Sequence, residues 1–329
     1  MGVKTGVDLD ALVEVGEWIS KTLNRKNESR AGAALFSKRD THVTKSDQST
    51  RVVSGDINST NFKDLIFSRS GSSATITFNN PKKGNVLTSS MTQGLRSIMS
   101  SLSSDPTIQT IILTNIGKYF CTGMDLSTSG PATTGTTKTQ LQNLLSTFEC
   151  LNSCPKTTIA LVKGKCYGGG VGLVFCCDIR IVIGANQEFV LSEVKRGLVP
   201  ATISKYVVRE WGPALAREAM ITGRPILASE LLAKNIIHAI AETEEQAQKI
   251  VEEYVLRLGS SAPRAVSQVK ELVNAVAERK RENEEIEKVF EDMMRPSDEA
   301  KFGIGEFRKG VKDVDWGKWY REKIGKPKL

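Results

Sequence analysis

Glu193 stands among apolar neighbours in "FVLSEVKRGLVPATIS" (Phe189–Ser204), just after a strand-like run at Glu188–Leu191. A carboxyl group beside apolar walls holds its proton more tightly and can exchange it near neutrality, which suits general acid–base work. Lys195 and Arg196 are close by, so for this residue taken singly a solvated or salt-bridged acid is the plainer reading. Two glycine-containing turns accompany it. "GKYFCTGMDL" (Gly117–Leu126) follows an apolar run at Ile111–Leu113, and "YGGGVGLVFCCD" (Tyr167–Asp178) follows another at Thr158–Val162 and opens a helix. Glycine in a helix costs roughly 1 kcal/mol against alanine, so the density at Gly168, Gly169, Gly170 and Gly172 implies a close approach to this backbone. A helix N-terminus presents N–H groups without intrahelical partners and the positive end of the dipole. Two such N–H groups aimed at one point form an oxyanion hole for a thioester carbonyl on its way to an enolate. Each donor there is worth on the order of 10²–10³ in rate. Singly, either turn is equally a tight strand-to-helix connection with glycines chosen for packing, and "GGGVG" is neither a phosphate loop nor the dinucleotide fingerprint.

These residues need elements to hold them. Short apolar runs recur at Ala74–Phe78, Thr110–Leu113, Thr158–Val162 and Ile179–Ile183, with helical patterns between them at Ser89–Leu102, Gln140–Leu151 and Gly170–Cys177. Alternation of this kind predicts an α/β core of ββα or βαβ units. Beyond Ala201 the pattern is helical: Ile203–Glu210, Ala214–Met220, Ala228–Ala233, Glu244–Leu258 and Arg264–Met294. Near the N-terminus, "VDLDALVEVGEWISKTLNRK" has three- and four-residue apolar spacing and predicts one helix. The Ser-rich "KSDQSTRVVSGDINSTN" after it reads as a flexible linker.

The 329 residues are 40% hydrophobic and 25% charged, an ordinary balance with ample apolar content for a core. No apolar stretch reaches the roughly 18 residues of a membrane span. Asp8, Asp10, Glu14 and Glu17 in the first twenty residues argue against a signal or transit peptide. The net charge of +8 suits an anionic ligand, a nucleic acid or an acidic surface without choosing among them, because basic residues are interspersed with acids, as in Arg279–Arg281 followed by Glu282, Glu284 and Glu285. Six cysteines without zinc-site spacing read as buried free thiols. With only His42 and His238 in the chain, a Ser-His or Cys-His pair is poorly supported.

The order and spacing of these features resemble the crotonase superfamily of enoyl-CoA hydratases and isomerases. "NNPKKGNVLTSSM" is similar to its R-P-x-x-x-N-A-L segment and "YFCTGMDL" to its F-x-x-G-x-D-L turn. "VKGKCYGGGVGLVFCCDIRI" is similar to the glycine-rich strand-helix unit. "AREAMITGRPILASELLAKNIIHAI" and "SDEAKFGIGEF" resemble two later segments, so the likeness runs from about Phe62 to Trp319. It implies an α/β fold, a crotonase (ClpP/crotonase-like) ββα spiral core at 61–260, followed by a helical trimerisation region at 261–329. The family's oxyanion donors fall on the backbone N–H groups of Met124 and Gly169. Its acid falls on Glu193, and the loop Met124, Asp125, Leu126 and Ser127 lines the coenzyme A chain. A departure concerns the second glutamate that hydratases of the family usually carry, which falls on Gly172. One-acid sites are typical of isomerases and also occur in hydratases of the methylglutaconyl-CoA type, the subgroup this chain most resembles.

The implied reaction is hydration of a trans-2-enoyl-CoA, with branched and carboxylated acyl chains among the candidates. An enoyl-CoA isomerase is the alternative. From another class come an RNA binder, disfavoured by the mixed charge, and a pseudoenzyme that binds CoA esters. The resemblance implies an acyl-CoA as partner and substrate, assembly as a homotrimer or hexamer, no membrane partner, and no cofactor or metal beyond the substrate's coenzyme A. Thr5–Leu35 resembles the C-terminal tail of 3-hydroxy-3-methylglutaryl-CoA lyase without that enzyme's catalytic parts, so 1–60 reads as an N-terminal extension left by a gene fusion. The terminal Pro327, Lys328 and Leu329 resemble a degenerate S-K-L signal, favouring the peroxisome over the cytoplasm. That address points to peroxisomal acyl chemistry or a biosynthetic route such as a fungal secondary metabolite.

Overall fold

A computed structural model describes residues 62, 64–125, 134–278, 282–294, 297–311 and 313–324. The expected N-terminal helix and linker, Leu126, Ser127 and the terminal Pro327–Leu329 lie outside the described residues. Strands β1 (Leu65–Ser70) and β2 (Ser73–Phe78) form an antiparallel hairpin with Leu65 opposite Phe78. Helix α1 (Ser89–Ser104) follows, its first turn capped by Thr88, whose hydroxyl accepts from Met91 N. The α1 stripe of Met91, Leu95, Ile98, Met99 and Leu102 is buried, the spacing of one helical face. It leads back to β3 (Thr110–Asn115), which lies parallel to β2.

From β3 onward the chain repeats one move. A long strand in the first sheet is followed by a three-residue strand in a second sheet and then by a helix. Thus β3 is followed by β4 (Tyr119–Cys121) and α2 (Thr134–Asn152), and β5 (Thr157–Val162) by β6 (Lys165–Tyr167) and α3 (Gly169–Phe175). Next, β7 (Ile179–Ile183) is followed by β8 (Glu188–Val190). The result is a six-stranded sheet ordered β1-β2-β3-β5-β7-β10 and a four-stranded sheet ordered β4-β6-β8-β9, the ββα arrangement expected from the sequence. Every residue of β3 and β5 is buried, as parallel strands covered on both faces require.

Two expectations change. The region beyond Ala201 is not wholly helical: β9 (Pro225–Leu227) pairs antiparallel with β8, and β10 (Ala239–Ala241) completes the larger sheet beside β7. Three residues are too few to display a two-residue period. The segments at 203–210 and 214–220 are two helical pieces, as the sequence suggests, that follow one another in α4 (Ser204–Thr222): Gly212 leaves the helical region (φ 73°, ψ 159°) just before Pro213 and kinks the element. Helices α5 (Ala228–Ala233) and α6 (Glu244–Gly259) follow as expected. The other change is that Arg264–Met294 is not one helix. It divides into α7 (Pro263–Glu278) and α8 (Glu282–Met294), which fold back on each other. Arg264 Nη2 lies 2.5 Å from Asp292 Oδ2, and Gln268 Nε2 donates to the same oxygen at 3.0 Å. A straight helix would separate residues 264 and 292 by about 42 Å. Two shorter helices end the described chain, α9 (Asp298–Arg308) and α10 (Trp316–Ile324).

Asp178, the first charge after the glycine run, has a structural task. Its Oδ2 accepts from Thr158 N (2.7 Å), Thr158 Oγ1 (2.8 Å) and Lys270 Nζ (2.6 Å), tying the end of α3 to β5 and to α7. The cysteines are free thiols as expected; Cys150 alone among the six is not fully buried.

Candidate active site

Strand β6 ends at Tyr167, and the chain turns at Gly168 into α3. Gly168 has φ 49° and ψ −118°, a conformation that only glycine adopts readily. Its N–H donates to Val190 O at 2.9 Å, fixing the turn to β8, while its carbonyl accepts from Val171 and Gly172. Gly169 is the first helical residue, so its N–H has no acceptor in a preceding turn. Gly123, at φ 88°, packs against it: a Cβ on Gly123 would lie 2.9 Å from Gly169 N. Bare backbone is therefore required on both sides of this contact, which brings the neighbouring Met124 beside the start of α3.

The segment around Asn85 holds Met124 from the other side. Leu87 N donates to Gly123 O at 2.8 Å, and Leu87 bridges Met124 in a parallel sense. Asn85 is fully buried, with Nδ2 donating to Ile116 O (3.0 Å) and Tyr119 O (2.7 Å) while Oδ1 accepts from Asn80 N (2.7 Å). It braces the β3–β4 connection, which accounts for an asparagine in "NVL" without giving it any chemistry.

Glu193 begins a short 3-10 turn, Glu193–Arg196, directly after β8. Its carboxylate leans over Gly168, so that a Cβ on Gly168 would lie 2.9 Å from Oε1. Oε2 is buried and has no hydrogen-bond partner among the described residues. Burial pushes the carboxyl group above the usual glutamate range, and the Arg196 charge pulls part of the way back. Arg196 itself is exposed and donates through Nη1 to Ser192 O and Oγ.

Met124, Gly169 and Glu193 all line one cleft of about 720 Å³. Its walls are largely apolar, with Leu87, Leu144, Phe148, Leu198 and Ile203 among them; Glu193 and Arg196 are the charged residues among the described lining. Asp125 is not part of that lining, and Leu126 and Ser127 lie outside the described residues. Lys195 faces a neighbouring hollow with Tyr167, Val190 and Pro225. Among the described residues no cluster of His, Cys, Asp or Glu is arranged to hold a metal ion.

Phe148 and Ile203 escaped the sequence reading because each looks like an ordinary core residue on a helical pattern. Both are in fact buried and also reach the cleft. Gly172 is where the family's second acid would fall. A Cβ there would meet Ile203 Cγ2 at 2.3 Å, Ile203 Cβ at 2.9 Å and Phe148 Cε1 at 3.1 Å. The room for a second side chain is occupied by an apolar one.

Residues 68–317 match the enoyl-CoA hydratase/isomerase family model. The chain is 38% identical to enoyl-CoA hydratase AFT6-1 of Alternaria alternata over 242 residues, 73% of this chain and 80% of that one. It is 30% identical to (E)-benzylidenesuccinyl-CoA hydratase of Thauera aromatica over 200 residues, 60% of this chain and 77% of that one. Among solved structures, an enoyl-CoA hydratase from Shewanella pealeana superposes with a TM-score of 0.71 at 27% identity, covering 77% of this chain and 96% of the other. Fold, the order of the motifs and these matches agree, and the chain belongs to the enoyl-CoA hydratase/isomerase family.

Proposed function

We propose that the protein adds water reversibly across the double bond of a trans-2-enoyl-CoA thioester, with Glu193 as its one acid–base group. The observation that carries this reading is the placement of the Glu193 carboxylate over Gly168, one residue from the Gly169 N–H, in the cleft that Met124 also lines. The thioester oxygen accepts from the N–H groups of Met124 and Gly169. Glu193 takes a proton from water as its oxygen bonds to C3, and the electron pair of the double bond moves to the enolate held in the oxyanion hole. The same carboxylic acid then returns that proton to C2. Coenzyme A serves as the handle of the substrate, and the reaction so written requires no further cofactor.

An acyl chain that is branched or carboxylated, of the methylglutaconyl kind, suits the cleft, since Arg196 is the cation among its described lining residues. Absorbance and product analysis on a panel including crotonyl-CoA and 3-methylglutaconyl-CoA, with Glu193→Ala as control, tests the reading. Hydration abolished by that substitution is expected; turnover that survives it overturns the role of Glu193. Migration of the double bond without uptake of water would instead establish the isomerase, which Gly172 favours because moving a proton along the chain needs one acid. Binding of CoA esters with neither reaction would leave a pseudoenzyme.

Assembly as a trimer or hexamer belongs to the same proposal. It is supported by the exposed stripe of Val269, Val273 and Val276 on α7, and light scattering in solution tests it. A peroxisomal address rests on Pro327–Leu329 and is tested by the location of a fluorescent fusion with and without those three residues.

A further inference from the structure

Phe148 and Ile203 are each 1% exposed, yet both line the cleft. Their positions are related through α3. A Cβ on Gly169 would lie 3.6 Å from Phe148 Cζ, and one on Gly172 would lie 3.1 Å from Phe148 Cε1. One ring therefore spans the first turn of the helix, from the Gly169 N–H to the point where Ile203 takes over at Gly172. The wall is braced from behind. The Phe148 ring sits against Tyr206 with centroids 6.1 Å apart, and the Tyr206 hydroxyl donates to Glu149 Oε2 at 2.9 Å. Ile203 closes the short 3-10 turn Ala201–Ile203 and immediately precedes the first helical piece of α4, which starts at Ser204 and runs to the kink at Gly212. A desolvated hydrocarbon surface thus runs along the first turn of α3, from Phe148 beside Gly169 to Ile203 beside Gly172.

We propose that Ile203, braced by Phe148, is the end wall of the acyl pocket and sets how large an acyl group the cleft accepts. This rests on the reading of the cleft as a CoA-thioester site. A thioester oxygen at Gly169 brings its acyl carbons alongside Phe148, and the next obstacle along α3 is Ile203. The same side chain excludes a second acid from position 172, so one residue fixes both the one-carboxylate chemistry and the reach of the pocket. The preferred class is a short acyl group, straight or singly branched. Longer chains meet Ile203.

The test measures affinities of saturated acyl-CoA esters, butyryl-CoA and hexanoyl-CoA, for the full chain by titration calorimetry. In Ile203→Ala the hexanoyl-to-butyryl affinity ratio is expected to rise about tenfold, the scale of a change of a methylene or two in a hydrophobic pocket. In Gly172→Ala/Ile203→Ala the added methyl refills part of the room, and the ratio is expected to move back toward that of the wild type. A merely structural role for Ile203 would lower both affinities together. A folded Ile203→Ala protein with an unchanged ratio overturns the proposal. Should that variant fail to fold, Ile203→Val reads the same ratio, with a rise of a few-fold expected and no change overturning the proposal. Because saturated esters cannot be hydrated, the two readings fail separately. A shifted ratio without hydration of any enoyl ester overturns the hydratase and keeps the wall, whereas hydration with an unshifted ratio does the reverse.

Discussion

Glu193 and Gly168 share one small volume: a Cβ on Gly168 would lie 2.9 Å from Glu193 Oε1. The acid is placed by what its neighbour lacks. Gly168 also sits at φ 49°, so alanine there is strained as well as obstructive. Gly168→Ala is expected to lower kcat about 100-fold, the effect of a displacement near 1 Å at a reacting group. Steady-state kinetics check this, with calorimetric unfolding to separate the strain.

The pH dependence follows from the burial of Glu193, whose carboxyl group is pushed above the usual glutamate range. Activity that needs the carboxylate should fall on the acid side with a midpoint above the ordinary value of about 4.3. The Arg196 charge pulls that midpoint down, so Arg196→Met is expected to move the acid limb to higher pH. A pH profile of kcat/KM reads both shifts. Movement of the limb to lower pH in Arg196→Met would contradict the electrostatic assignment.

The same burial has a stability consequence. A carboxyl group that binds its proton more tightly in the fold contributes stability that is complete below its unfolded pKa. That contribution is lost as pH rises through the folded value. Glutamine does not titrate, so the stability of Glu193→Gln relative to wild type is expected to grow across the same window and level off above it. Urea unfolding at a series of pH values measures the difference.

Asp178 joins β5, the end of α3 and Lys270 of α7 through one oxygen. Removing one partner of a largely buried ion pair costs on the order of 3 kcal/mol, and Asp178→Ala also leaves Thr158 without its acceptor. The variant is expected to unfold at clearly lower urea concentration. Lys270→Met should cost less, because the Thr158 bonds remain.

The thiols give a fifth check. Burial pushes Cys121, Cys150 and Cys177 up to about 12, so almost none of each is thiolate at pH 8. Ellman's reagent is expected to react slowly with the folded protein. It should reach six thiols per chain once guanidinium is added.

The sequence alone determined the α/β core, the two glycine turns and the isolated acid, because these are local properties. A long buried strand, a helix opened by glycines and a carboxylate among apolar residues each leave a mark within about ten positions. The order of those marks was enough to carry the family resemblance. The division of Arg264–Met294 into α7 and α8 left a weaker mark: the polar run Glu278–Glu285 interrupts the apolar stripe with no glycine or proline to stop a helix, and the Arg264–Asp292 and Gln268–Asp292 contacts reveal the reversal. The strands β9 and β10 were too short to show a period. The same limit applies to the site. Gly172 is visible in the sequence as a missing acid, but what fills its space is 31 positions away. Ile203 reaches it because α4 packs beside α3, and that contact is a property of the packed elements rather than of either segment.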